Sequence, residues 1–166
     1  MKALACTQCD RRHDPAQLIN LCPCGGILYP EYDLAAIRRA VTPADIARGP
    51  ASMWRYRAVL PVAKDENIVS LGEGWTPLCA AAPRGPFAPF ERLTIKDESL
   101  NPTATFKARG MSAALSRAKE LGARAVALPS AGNAGAAASA YAARAGLPCY
   151  VFMPVDTPAP IIGECI

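Results

Sequence analysis

Hydrophobic positions show little periodicity over residues 1–33, and regular patterns begin only after them. Leu34, Ile37, Val41 and Ile46 carry the apolar positions of 34–60, read as helix and connector. Thr42-Pro43-Ala44-Asp45 has the form of a helix start, with proline at the first helical position. Met53-Trp54-Arg55-Tyr56 is an aromatic stretch suited to packing on a larger body. Leu71–Leu78 is rich in turn residues, and 80–90, rich in Ala, Pro and Gly, predicts a loop. From Glu91 the order becomes regular. Leu93–Lys96 predicts a strand. Thr105–Leu121 predicts a helix, with apolar or small residues at Phe106, Met111, Ala114, Leu115, Ala118 and Leu121 and a stop at Gly122. Ala125–Leu128 predicts a short buried strand, Asn133–Ala145 an alanine-rich helix stopped at Gly146, and Cys149–Met153 the next strand; Thr157 opens a further helix. This alternation predicts an α/β fold with a mainly parallel sheet. Three segments result: a cysteine-rich module at 1–33, a connector and start of the main fold at 34–90, and the α/β region at 91–166.

Composition narrows the classes. The chain has 166 residues, 51 % hydrophobic and 19 % charged, which is globular rather than disordered. The net charge is +4 and the arginines are scattered rather than clustered, which argues against nucleic acid as a partner. No apolar run approaches the ~20 residues of a membrane helix, and the N-terminus lacks an apolar signal core, so a cytoplasmic protein with no membrane partner is expected. Four of the seven cysteines form two tight pairs, Cys6-Thr7-Gln8-Cys9 and Cys22-Pro23-Cys24-Gly25-Gly26. Four thiolates so spaced suit one tetrahedral zinc, although the second pair is tighter than is usual; the other reading is reduced, unliganded cysteines. Cys149 lies in an apolar run and reads as a small core residue. His13 lies in a polar turn and reads as solvated, with no ligand role required.

The chemistry concentrates in two loops. Ser99-Leu100-Asn101-Pro102-Thr103-Ala104-Thr105-Phe106-Lys107 places one lysine at the start of a helical run, after a polar turn. A protonated amine does not attack a carbonyl; apolar surface such as that of Phe106 favours the neutral form. Thr103 and Thr105 add hydroxyls where free N–H groups favour anions. The plainer reading is a surface lysine on an amphipathic helix. The second loop, Ser130-Ala131-Gly132-Asn133-Ala134-Gly135, follows a strand and opens a helix, where α/β folds bind ligands. It reads either as a ligand cradle or as a helix cap by Ser130 or Asn133.

Taken together, Leu71-Gly72-Glu73-Gly74-Trp75-Thr76-Pro77-Leu78, Lys96-Asp97-Glu98, Asn101-Pro102-Thr103-Ala104-Thr105-Phe106-Lys107 and Ser130-Ala131-Gly132-Asn133 resemble the threonine synthases of the tryptophan-synthase-β-like, fold type II, pyridoxal phosphate superfamily. The lysine motif and the Ser-x-Gly-Asn loop are shared by the wider superfamily. The Gly-Glu-Gly-x-Thr-Pro-Leu element and the cysteine module, which runs into Tyr32-Asp33-Leu34, point more narrowly. The resemblance implies a parallel-sheet fold type II region preceded by a small zinc-ribbon-like module, with Cys6, Cys9, Cys22 and Cys24 as metal ligands. It implies that Lys107 bonds the aldehyde of pyridoxal 5′-phosphate and later shuttles protons. Asn133 then contacts the cofactor 3-oxygen, with Phe106 near its ring. Ser130, Ala131, Gly132, Asn133 and Ala134 hold the substrate carboxylate. The implied reaction converts O-phospho-L-homoserine and water to L-threonine and phosphate, with a small amino acid as partner and a homodimer for the full-length protein. Arg109 is a candidate for electrostatic help and equally for a structural role. The family usually has glycine where this chain has Ala104; if that position needs φ > 0, alanine costs about 1 kcal/mol or more. The family runs on well past the position of Ile166, so the chain is expected to be an N-terminal part that binds cofactor poorly and turns over little. Sister enzymes such as threonine dehydratase or cysteate synthase, and a non-catalytic zinc-ribbon binding module, are the alternative readings.

Overall fold

A computed structural model describes residues 1–166, arranged as three small sheets and two long helices. The cysteine-rich segment forms an antiparallel sheet. Its central strand β1 (Ala3–Cys6) is flanked by β2 (Arg12–His13) and β3 (Leu28–Glu31). Two short helices follow, α1 (Leu34–Ala40) and α2 (Pro43–Arg48). The Asp33 side chain caps α1. Thr42 and Asp45 form a reciprocal capping box on α2, with Pro43 in its first turn as the sequence predicts. A 3-10 segment, Met53–Val59, then buries Met53 and Trp54.

The sheet of the main body differs from the expected one. The strand β5 (Leu93–Lys96) is present, but it pairs antiparallel with β4 (Leu78–Ala81), register Leu78↔Lys96. The parallel sheet is confined to β6 (Val126–Pro129) and β7 (Cys149–Phe152), register Val126↔Cys149. Part of the segment read as loop is therefore strand, because Leu78–Ala81 finds its partner in Leu93–Lys96 across a Pro/Gly-rich connection. The helices are α3 (Lys107–Glu120), α4 (Asn133–Ala145) and α5 (Ala159–Gly163). The first opens two residues later than its apolar pattern suggests, because Thr105 is extended (φ −153°). The second matches its predicted bounds and ends at Gly146. β6, α4 and β7 make one crossover unit, the connection that parallel strands require.

Helix α4 lies close to both the sheet and α3 because its inner face is made of small residues. Gly135, Ala136, Ala137, Ala138 and Ala142 are buried along it, and a Cβ on Gly135 would meet Val151 Cγ1 at 2.9 Å. Tyr141 is the one large side chain on that face, and it is fully buried. It joins Val69, Ala108, Leu115 and Ala142 in the core, with Met111, Val126, Leu147 and Cys149 packed around them. Cys149 thus packs against the core as expected, and burial pushes its thiol pKa up.

At the centre of this core sits a carboxylate. Glu73 is wholly inaccessible to solvent, yet no cation pairs with it. Its Oε1 accepts from Trp54 Nε1 at 2.9 Å and Ser112 Oγ at 2.6 Å. Its Oε2 accepts from Tyr141 OH at 2.6 Å, the Leu71 N–H at 3.0 Å and Ser70 Oγ at 3.2 Å. Burial opposes ionisation, but these donations outweigh it and hold the Glu73 carboxyl below its ordinary value. Burial, and then the carboxylate, push the Tyr141 hydroxyl upward. One side chain therefore binds the 3-10 segment, the 70–74 loop, α3 and α4 to each other. Glu73→Ala is expected to destabilise the fold by about 3 kcal/mol or more, because it strands several buried donors, and Tyr141→Phe by about 1–2 kcal/mol. Urea unfolding followed by circular dichroism measures both.

Candidate functional site

The segment before α3 is held in place from behind. Asn101 is buried; its Nδ2 donates to the Glu98 carbonyl at 3.0 Å and to Glu98 Oε2 at 2.9 Å, while its Oδ1 accepts from the Gly74 N–H at 2.9 Å. The chain then turns through Thr103 (φ 61°) and Ala104 (φ 51°), both in the left-handed region. The positive φ that would strain an alanine at position 104 is thus present. Thr105 returns to an extended conformation and is buried, and α3 starts at Lys107. Lys107 is half-buried, takes part in no ion pair, and holds its Nζ 4.8 Å from the centre of the Phe106 ring. Phe106 itself is 58 % exposed, so the ring lies open on this face.

The second loop meets the first at Thr105. Thr105 Oγ1 lies 3.4 Å from Asn133 Nδ2 and 3.5 Å from the Lys107 N–H, so one hydroxyl touches both the lysine turn and the Asn133 turn. Ser130 Oγ accepts the Gly135 N–H at 2.9 Å, while the backbone cap of α4 is Gly132, with neither Ser130 nor Asn133 at that position. The backbone N–H groups of Ala131, Gly132, Asn133 and Ala134 find no acceptor within the chain. These four free donors lie at a helix N-terminus and beyond the carboxyl ends of β6 and β7, where the partial positive charge favours an anion.

Arg109 lies in the first turn of α3 and is already engaged. Its Nε and Nη2 donate to Glu98 at 2.6 and 2.7 Å, and Nη2 also donates to Thr76 Oγ1 at 3.2 Å. The Thr76 hydroxyl in turn donates to Glu98. Arg109, then the hydroxyl and amide donors, hold the Glu98 carboxyl down at about 2. This two-pronged pair ties α3 to the turn that precedes Lys107, so the structural role is the one the geometry supports for Arg109.

The four paired cysteines converge. Their sulfurs all lie within 4.8 Å of one another, with Cys6–Cys24 and Cys9–Cys24 at 3.5 Å and Cys9–Cys22 at 3.6 Å, and none is in a disulfide. Tetrahedral zinc with bonds of about 2.3 Å separates its sulfurs by about 3.8 Å, so the cluster has the right size. The turn is shaped around it: a Cβ on Gly26 would sit 2.5 Å from Cys6 Sγ. The N–H groups of Gln8 and Cys9 lower the Cys6 thiol to about 6. His13 departs from its reading as a solvated residue. It is half-buried, and its Nε2 lies 3.3 Å from Cys22 Sγ.

Sequence reasoning left Glu73, Glu98 and the contact of His13 without a role. Glu73 and Glu98 stand inside quoted motifs, but the partners that define them, Trp54, Ser112 and Tyr141 for Glu73 and Thr76 and Arg109 for Glu98, lie on other elements. The pairing of Leu4 with His13 is what carries the imidazole toward the cysteines.

Two expectations follow from this geometry. Because Glu73 and Glu98 titrate below their unfolded value of about 4.3, the stability they provide is complete above that pH and falls as pH drops below it, for Glu98 toward about 2. Glu98→Gln is expected to be less stable than wild type at pH 7 and to lose less further stability on acidification, read from urea midpoints at pH 7 and at about pH 3. Ala104→Gly is expected to stabilise the fold by about 0.5–1 kcal/mol, seen as a higher urea midpoint, as strain is relieved.

Residues 69–164 match the family model described as pyridoxal-phosphate dependent enzyme. The chain is 38 % identical over 149 residues to threonine synthase from Methanocaldococcus jannaschii, covering 90 % of this chain and 37 % of that protein. It is 34 % identical over 155 residues to threonine synthase from Methanosarcina acetivorans, covering 93 % of this chain and 37 % of that protein. Against threonine synthase from Synechocystis sp. the identity is 47 % over 110 residues, 63 % of this chain and 29 % of the relative. The match therefore spans only 29 to 37 % of the length of these relatives. With more than half of its residues matched by the family model, and with Lys107 and the Asn133 turn inside that match, the chain belongs to the pyridoxal-phosphate dependent enzyme family.

Proposed function

We propose that this chain is the lysine-bearing region of a threonine synthase of fold type II, which converts O-phospho-L-homoserine and water to L-threonine and phosphate. The observation that carries the reading is the shared contact at Thr105, which brings Lys107 and Asn133 to one open face. The similarity to three threonine synthases supports the choice of reaction. In this reading Lys107 supplies the amine that bonds the cofactor aldehyde, and its Nζ later carries protons to and from the substrate carbons. Asn133 donates its amide to the cofactor 3-oxygen, and Phe106 packs near the ring. Ser130, Ala131, Gly132, Asn133 and Ala134 hold the substrate carboxylate through the free N–H groups of the cradle. Bound pyridoxal phosphate supplies an electron sink for carbanions at the α and β carbons. The Arg109–Glu98 pair keeps the lysine turn rigid while the substrate exchanges.

Borohydride reduction in the presence of pyridoxal phosphate, followed by peptide mass spectrometry, tests the lysine. Lys107 is expected to be modified ahead of Lys2, Lys64, Lys96 and Lys119, and the selective label is expected to vanish in Lys107→Ala. Equal labelling of all five lysines, or of the other four alone, contradicts the assignment.

The cysteine module is proposed to hold one structural zinc through Cys6, Cys9, Cys22 and Cys24 as a zinc ribbon. Purified chain is expected to contain one zinc by atomic absorption, and a strong chelator is expected to lower its unfolding temperature. Metal-free chain of unchanged stability contradicts this.

A further inference from the structure

A cleft of about 400 Å³, whose lining includes neither Lys107 nor Asn133, opens between the Met53–Val59 segment, the 74–78 loop and β5. Arg55, Tyr56, Trp75, Leu78, Lys96 and Arg109 bound it. Three cations thus converge on one cleft, and they are not equally neutralised. Arg109 is committed to Glu98. Arg55 donates only to backbone carbonyls, from Nε to Ile46 at 3.0 Å and from Nη2 to Ala47 at 2.9 Å and Gly49 at 3.3 Å. Lys96 Nζ donates to the Thr76 carbonyl at 3.0 Å. Carbonyl dipoles orient these groups but leave their charges uncancelled, and neither Arg55 nor Lys96 takes part in any ion pair of the chain.

The aromatic lining is equally specific. Trp75 is 61 % exposed and is held at φ 56°, a costly conformation for a bulky residue. The strained backbone presents its ring to the cleft, where the Arg55 guanidinium stacks 3.9 Å from the ring centre. Tyr56 is half exposed, and its hydroxyl has no hydrogen-bond partner within the chain. Two uncancelled cations, one idle hydroxyl and one aromatic platform therefore share a cleft of the size that takes a small metabolite.

We propose that this cleft binds a small phosphate monoester, at a site separate from the Lys107–Asn133 face. The dianion of such an ester matches the two uncancelled charges, whereas a carboxylate would leave one of them unmatched. Arg55 and Lys96 receive the phosphoryl oxygens, Tyr56 donates its hydroxyl, and the organic part lies against Trp75 and Leu78. The proposal does not depend on the reaction assigned above.

The test is a calorimetric titration of the full chain with glycerol 3-phosphate at constant ionic strength, repeated in Lys107→Ala. Saturable binding of one molecule per chain is expected, equal in both proteins and accompanied by a change in tryptophan fluorescence. Lys96→Gln is expected to weaken it about tenfold or more, with recovery in Lys96→Arg, and Tyr56→Phe to weaken it severalfold. Lys96 is exposed, so these variants are expected to keep the wild-type urea midpoint. Absence of saturable binding overturns the proposal, as does an unchanged affinity in Lys96→Gln. Loss of binding in Lys107→Ala would place the phosphate at the lysine face and also overturn it, whereas the borohydride experiment reports on that face independently.

Discussion

A single buried carboxylate organises this chain. Glu73 is surrounded by five donors drawn from the 3-10 segment, its own loop, α3 and α4, and none of them carries a charge. An ionised group in such a place is tolerated only when its hydrogen-bonding capacity is filled, and here it is. The consequence is geometric. Ser112 lies on α3 and Tyr141 on α4, so the carboxylate fixes the rotation and separation of the two helices. Lys107 stands at the N-terminus of one and Asn133 at the N-terminus of the other. The distance between the two chemical groups is thus set from the core rather than by the loops that carry them.

A second carboxylate completes the arrangement nearer the surface. Glu98 receives Arg109 from α3, Asn101 from the lysine turn and Thr76 from the Gly-Glu-Gly motif loop. The turn through Thr103 and Ala104 is strained, and a strained turn persists only when its surroundings hold it. Asn101 and Arg109 supply that hold on either side of it. The same motif loop therefore serves twice, with Glu73 pointing into the core and Thr76 bracing the turn before Lys107.

The sequence was most legible where structure is local. The bounds of the helix at 133–145, its stop at Gly146 and the helix start at Thr42-Pro43 depend on neighbours within a few residues, and all three are found. The concern over Ala104 was equally local, and its φ of 51° bears it out. What depends on distant pairing was not legible. Leu93–Lys96 looks the same in sequence whichever strand it joins, and its partner, Leu78–Ala81, runs from a turn-rich stretch into the segment that reads as loop. His13 looks solvated until strand pairing places it against Cys22. Glu73, between two glycines, signals only a turn; its partners at 54, 112 and 141 cannot be read from its surroundings. The paired cysteines were legible as a cluster because the spacing within each pair is short, and the fold brings the two pairs together.

Helices α3 and α4 form one mechanical unit, joined through Glu73. Native-state hydrogen exchange measures this directly, amide by amide, as the free energy of opening. The buried amides of both helices are expected to exchange through a common opening of the same free energy and the same denaturant dependence. Exchange of α4 at a clearly lower free energy than α3 would show that the helices open separately, and that the carboxylate between them does not set the spacing of Lys107 and Asn133.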